Sequence, residues 1–164
     1  MKKIFFAFAL PFLAVLLLGA CRGSGETPEP PKTPEELAIL DLTGGSSQVW
    51  IIAGGGSVTR DGRTETNLYA NLELNLASSS SSKTYQTSNS NNLFDSNGTW
   101  TFEGGNFDRI RLSGTRPAAG RDMTYTRTGN NLILRFTIPM PTGRSNERVD
   151  AIAGSYIFTF VRRQ

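Results

Sequence analysis

The dominant pattern along the chain is alternation of apolar and polar positions. In the last stretch, Tyr156, Phe158 and Phe160 alternate with Ile157, Thr159 and Val161, a period of two that only a β-strand sorts onto two faces. Apolar groups on both faces mark this strand as the closing member of an antiparallel barrel. The same period predicts strands at about Gln48 to Ala53, Asn67 to Ala77, Lys83 to Thr87, Gly98 to Phe102, Arg109 to Ser113, Asp122 to Arg127, Asn131 to Ile138 and Ser155 to Arg162, eight in all. Leu68, Ala70, Leu72, Leu74 and Leu76 fall on one face of the second of these, with Tyr69, Asn71, Glu73 and Asn75 on the other. One buried and one wet face is the mark of an antiparallel sheet around a single core.

Turn chemistry separates the strands. Asp61-Gly62, Asp95-Ser96-Asn97-Gly98, Gly104-Gly105 and Gly129-Asn130 are tight-turn signals, and short connections make sequence neighbours spatial neighbours. An all-β, eight-stranded, up-and-down antiparallel barrel follows, and closure spares it exposed edges. Ahead of it, Thr33-Pro34-Glu35-Glu36 reads as a helix start: a hydroxyl at the N-cap, Pro at the first helical position and Glu36 placed for a capping box. The helix is predicted to end near Gly44, with Leu37, Ile39 and Leu40 as its apolar stripe and one end of the barrel as its seat. Pro139, Pro141 and Thr142 to Glu147 make the longest irregular connection of the second half.

The amino terminus changes the picture. Lys2 and Lys3 precede an apolar run from Ile4 to Leu18, and Leu18-Gly19-Ala20-Cys21 follows, which reads as a signal peptide ending in a lipobox. The apolar run is shorter than the roughly 20 residues a spanning helix needs, and Cys21 is the only cysteine of the 164 residues. The resemblance implies a bacterial lipoprotein cleaved before Cys21, with residues 1–20 removed and acyl chains on Cys21 holding the protein to a membrane. Residues 21–32 then form the lipidated cysteine and a Pro/Gly-rich tether that reaches roughly 30–40 Å if extended. Residues 33–164 form the barrel domain. Losing Lys2 and Lys3 lowers the formal charge from +3 to +1, 15 basic against 14 acidic residues. No dense basic stripe remains, and nucleic-acid binding is not expected.

Several segments are similar to the small lipocalin-like domains of Bacteroidota lipoproteins: Leu42-Thr43-Gly44-Gly45-Ser46-Ser47 leading to Trp50, the Asn97-Gly98-Thr99-Trp100 turn and strand, Asn131 to Phe136, and Ala153-Gly154-Ser155-Tyr156. The likeness covers roughly residues 42–164. It implies a lipocalin-like barrel and an envelope location, but no reaction. Lipocalins proper carry a Gly-x-Trp on the first strand and an arginine over that tryptophan at the end of the last. Here Gly45 lies five residues before Trp50, and Arg162 or Arg163 is expected over its ring, a cation–π contact of about 1 kcal/mol. Arg22, where enterobacterial lipoproteins retained in the inner membrane carry Asp, makes the outer membrane the expected location.

Candidate chemistry is limited. There is no histidine, which removes the commonest acid-base residue and every histidine-ligated metal site. Asp61, Asp95, Glu103, Asp108 and Asp122 lie in or beside predicted turns, where capping is their default role. No enzymatic activity, cofactor or metal is expected, a hydrolase built on a pair of these carboxylates being the alternative. Trp50, Trp100, Tyr125 and Tyr156 all fall on predicted strands, and an eight-stranded barrel is either filled by side chains or holds one small ligand. These four are the candidate ligand-binding residues for a small apolar or amphipathic molecule. Core packing is the alternative for each. The protein is expected to be a monomer, and for its function the alternative is a non-enzymatic interaction or accessory module that contacts a partner protein or a surface glycan.

Overall fold

The computed structural model describes residues 30–140 and 152–164. The signal segment, Cys21, most of the tether and most of the connection after Pro139 lie outside the described residues. Residues Lys32–Gln164 form a compact unit of their own.

The first element is helix α1, Pro34–Thr43, and its start is built as its sequence dictates. The Glu36 backbone N–H donates to Thr33 Oγ1 at 3.2 Å, while the Thr33 N–H donates to Glu36 Oε2 at 2.7 Å, so two amides with no helical partner are satisfied reciprocally. Gly44 ends the helix at φ 65°, its N–H donating to Leu40 O at 2.8 Å. The buried side differs from the expected stripe. Ala38, Leu42 and Thr43 face the barrel, whereas Leu37 and Leu40 are exposed. The pair Ala38 and Leu42, one turn apart, lets the backbone lie close to the barrel end, and bulkier residues are left on the outer side.

The strands are β1 Ser47–Ile51, β2 Ser57–Arg60, β3 Arg63–Thr64, β4 Glu73–Ser78, β5 Lys83–Ser88, β6 Asn97–Phe102, β7 Arg109–Leu112, β8 Met123–Thr128, β9 Asn131–Ile138 and β10 Gly154–Arg162. Strands β1 and β4 to β10 pair antiparallel in chain order, and β10 returns to β1, so eight strands close a barrel. The expected architecture is therefore the observed one. Closure follows from β10 being long enough for two partners. Tyr156 to Thr159 pair with Arg60 to Ser57 of β2, and Val161 and Arg162 pair with Ile51 and Trp50 of β1. Its other edge is occupied from Gly154 to Val161 by β9.

Between β1 and β2 the chain bends, with the Gly56 N–H donating to Ile52 O at 2.9 Å. A Cβ on Gly56 would lie 2.7 Å from both Ile52 O and Thr159 O. Only glycine fits where three backbones converge. After the bend comes the β2–β3 hairpin around Asp61-Gly62, which the alternation pattern did not show because each arm is at most four residues long.

The expected strand from Asn67 to Ala77 is half right. Its second half is β4, but Thr66–Tyr69 is a 3-10 turn. This reverses two side chains: Tyr69 is 4% exposed and Leu68 58%. Thr66 Oγ1 accepts from the Val58 N–H at 3.0 Å and the Glu65 N–H donates to Val58 O at 2.8 Å. The turn is thus pinned to β2, which overrides the local alternation.

The interior is filled. Trp50, Leu74, Leu76, Tyr85, Trp100, Leu132, Leu134, Phe158 and Phe160 are all buried inside the barrel. Phe136 stacks on Tyr156 and Phe158 at centroid distances of 5.4 and 5.8 Å, and Phe158 stacks on Phe160 at 5.7 Å. These rings alternate along β9 and β10 as their period of two requires.

Candidate functional site

Helix α1 seals one end of the barrel, and loops build the other. The Trp50 indole N–H donates to Leu42 O at 2.8 Å, tying the helix to β1. Lys83 Nζ meets Glu35 Oε1 at 3.0 Å and Arg127 Nη1 meets Asp41 Oδ1 at 3.2 Å, so both ends of the helix are pinned to strands.

At the opposite end the 89–96 loop turns through Asn89, Asn91 and Asn92, all at φ between 50° and 62°. Asparagine tolerates this left-handed region better than other side chains. The turn drives Leu93 and Phe94 into the barrel mouth, where Phe94 meets Phe136 and Phe158 edge-on at 5.7 and 5.6 Å. Tyr69 enters from the 3-10 turn and meets Phe158 at 5.2 Å. The loop from Ser113 to Asp122 closes over them. Its Ala118 N–H donates to Leu93 O at 3.1 Å, and the Thr115 and Arg116 N–H groups both donate to Asp95 Oδ2 at 2.9 Å.

Two cavities adjoin at this loop end. The larger, about 710 Å³, is walled by Tyr69, Tyr156, Leu68, Ile152 and Pro117, with Arg60 and Glu65 at its side. The smaller, about 420 Å³, is polar, lined by Thr87, Ser90, Asp95, Ser96 and Thr115. Asn92 and Arg116 line both. Volumes of this size are those of small-molecule sites.

The electrostatics are of neutral phenols beside a paired guanidinium. Arg60 Nη2 lies 2.6 Å from Glu65 Oε1, and the Arg60 guanidinium is 5.9 Å from the centre of the Tyr156 ring. Burial pushes the Tyr69 hydroxyl well above its ordinary pKa, with Tyr156 and Glu65 adding to it. Burial raises that of Tyr156 too, against the opposing pull of Arg60. Both phenols are therefore neutral hydrogen-bonding groups at physiological pH. Tyr156 donates to Ile152 O at 2.8 Å.

The four aromatic candidates do not converge. Trp50 sits at the helix end, fully buried. Trp100 is in the wall of the core, its N–H donating to Ala77 O at 3.1 Å and the Lys83 ammonium 6.0 Å from its ring. Tyr125 is half-buried near the helix, donating to Phe107 O at 2.6 Å. Only Tyr156 reaches the loop-end cavity. The expected arginine over Trp50 is also absent. Arg162 is the cross-strand partner of Trp50, yet the described cation–π contacts are to Tyr156, Trp100 and Phe102, and Arg163 pairs with Glu73. Trp50 is held by its N–H instead, because Leu42 O at the helix end has no helical donor of its own.

The turn carboxylates are engaged locally. Asp61 accepts from the Ser155 N–H at 2.8 Å. Glu103 and Asp122 both pair with Arg111 on the outer wall, and Asp108 lies 3.8 Å from Arg109. Among the described residues no group of three or more His, Cys, Asp or Glu is placed to hold a metal ion. Leu68, Tyr69 and Arg116 were not singled out by the sequence. Their role depends on the 3-10 turn and on the meeting of two loops 20 residues apart, and no local signal carries that. No family model, no curated protein and no solved structure matches the chain.

Proposed function

We propose that this protein is a lipid-anchored envelope protein, tethered through Cys21 to the outer membrane. In this reading the barrel is a rigid holder for a binding site at its loop end, which takes a small apolar or amphipathic molecule. The observation that carries it is the cavity of about 710 Å³ between Tyr69, Tyr156, Leu68 and Ile152, where aromatic and aliphatic surface lies beside hydrogen-bonding groups. The lipobox at Leu18 to Cys21 supports the anchor. The short helix leading into a closed eight-stranded meander is compatible with lipocalin-like ancestry.

The filled interior moves the site from the barrel axis to its mouth. It also favours a second reading, in which the loop end contacts a partner protein or glycan; Leu68 and Met140, 58% and 70% exposed, are apolar surface of that kind. Native mass spectrometry of the chain from Arg22 to Gln164 separates the two. A reproducible adduct lost on denaturation supports the small ligand, and a clean apo mass together with partner capture from the envelope supports the second. Metabolic labelling with an alkynyl fatty acid tests the anchor: label is expected on the native chain and none on Cys21→Ser.

A further inference from the structure

The two loop-end cavities differ in chemistry and share a wall. One is aromatic and aliphatic, the other is lined by hydroxyls, amides and the Asp95 carboxylate, and Asn92 and Arg116 stand at their junction. A molecule spanning both has an apolar part and a polar head, with the head at Arg116.

The junction holds one guanidinium, Arg116, and the polar cavity beside it one carboxylate, Asp95, whose hydrogen bonds go to backbone and hydroxyl groups rather than to a cation. Arg60 is neutralised by Glu65. The carboxylate of Asp95 accepts from the backbone N–H groups of Thr115 and Arg116 and from the Thr115 hydroxyl at 3.2 Å. The Arg116 side chain is exposed and makes no hydrogen bond or ion pair among the described residues. Its backbone, in contrast, is held by Asp95 and by the Ala118 to Leu93 hydrogen bond. A guanidinium with five donors, on a loop fixed at both neighbours, is pre-organised for a planar or tetrahedral oxyanion.

We propose that the ligand is a single-chain anionic amphiphile, with its carboxylate or phosphate on Arg116 and its apolar chain against Leu68, Tyr69 and Tyr156. This rests on the reading of the loop end as a binding site and adds the charge of the ligand. Glu65 has a second role in it. By pairing with Arg60, it leaves Arg116 as the guanidinium lining both cavities that has no ion-pair partner among the described residues, and so fixes where the head lies.

The test is calorimetric titration of the chain from Arg22 to Gln164, which carries the whole compact unit Lys32–Gln164, with decanoate, monodecyl phosphate and decanol. Decanoate or decyl phosphate is expected to bind more tightly than decanol, and the preferred anion of the two identifies the head. Arg116→Gln is expected to weaken that anion about tenfold, the value of one lost charged hydrogen bond, and to leave decanol unchanged. Its thermal melting should match the native chain, since the Arg116 backbone bond to Asp95 is retained. Glu65→Gln, which removes the carboxylate paired with Arg60, is expected to tighten the anion. Equal binding of all three probes with no effect of Arg116→Gln overturns the anionic head while leaving the site intact. Binding of none of them overturns the loop-end site itself.

Discussion

At the helix end of the barrel, the lid itself is built by neighbouring residues, while the Lys83 and Arg127 ion pairs that pin it come from far along the chain. Thr33 and Glu36 cap the helix, Gly44 ends it, and Trp50 follows eight residues after the carbonyl it binds. At the loop end, the plug is assembled from Tyr69, Leu93, Phe94 and Ala118, drawn from three separate connections. The first end is sealed by a regular element whose backbone satisfies itself. The second is sealed by side chains on irregular backbone, and there the two adjoining cavities lie. The difference teaches how each seal shapes the space beside it: the helix lid leaves clefts along its flanks, of about 370 and 530 Å³, whereas loops held by a few long-range bonds leave gaps with polar walls at the mouth itself.

The largest expected effects compare the two seals directly. Trp50→Ala is expected to cost about 3–5 kcal/mol in denaturant unfolding, since it removes a fully buried ring and its bond to Leu42 O. Phe94→Ala is expected at the lower edge of that range, about 3 kcal/mol, because a loop residue's neighbours can relax into the gap. It should also raise binding of a hydrophobic dye, which Trp50→Ala fails to do while folded. Equal dye binding by both variants would erase the distinction between the ends.

Gly56→Ala comes next. Its Cβ collides with two carbonyl oxygens rather than a movable side chain, and a loss of about 1–3 kcal/mol is expected. The bend it sits in divides the two ends, so hydrogen exchange should quicken in β2 and the 3-10 turn before it does in α1. Uniform quickening would mean that the ends unfold as one unit.

Thr33→Ala, at the helix end, should cost about 1 kcal/mol. Its partner gives a pH signature. The Thr33 backbone N–H, and then its hydroxyl, hold the Glu36 carboxyl below its ordinary value of 4.5. A depressed folded-state value contributes stability that is present above pH 4.5 and lost as pH falls through the lower value. The stability difference between the native chain and Glu36→Gln should therefore narrow below pH 4.5 in melting curves. A constant difference would show that the capping box does not titrate.

The smallest effect is read on the alkaline side. Burial pushes Tyr85 and Tyr125 up to about 12 and raises Tyr69 and Tyr156 as well, and these are all four tyrosines of the chain. A raised folded-state value contributes stability that is full below pH 10 and is lost as pH climbs towards 12 and beyond. Tyrosinate absorbance should be missing at pH 10 and appear only at higher pH. A tyrosine titrating at its ordinary value would place one of the two ends open to water.

The alternation of residues 131–138 and 154–162 was enough to place two strands with their inward faces, and the capping box was enough to place the helix start. Each depends on neighbours within a turn or a strand pair, so the local chain carries the information. The helix stripe was misread in part: Ile39 packs against the core as expected, but Leu37 and Leu40 are exposed, and only the barrel end decides that the narrower Ala38 side is buried. The segment from Thr66 to Ala70 has a strand's alternation as good as that of β4. It turns instead because Thr66 and Glu65 bond Val58, and that contact exists only once the hairpin has folded back. Trp50, Trp100, Tyr125 and Tyr156 were named together as candidate ligand-binding residues, but they lie apart in the fold, since residue type says that a ring is buried but not what lies beside it. Closure was written in the length of the last strand. What lines the loop-end cavities was decided only when Arg116, Tyr69 and Tyr156 were brought together by tertiary contacts between segments far apart in the chain.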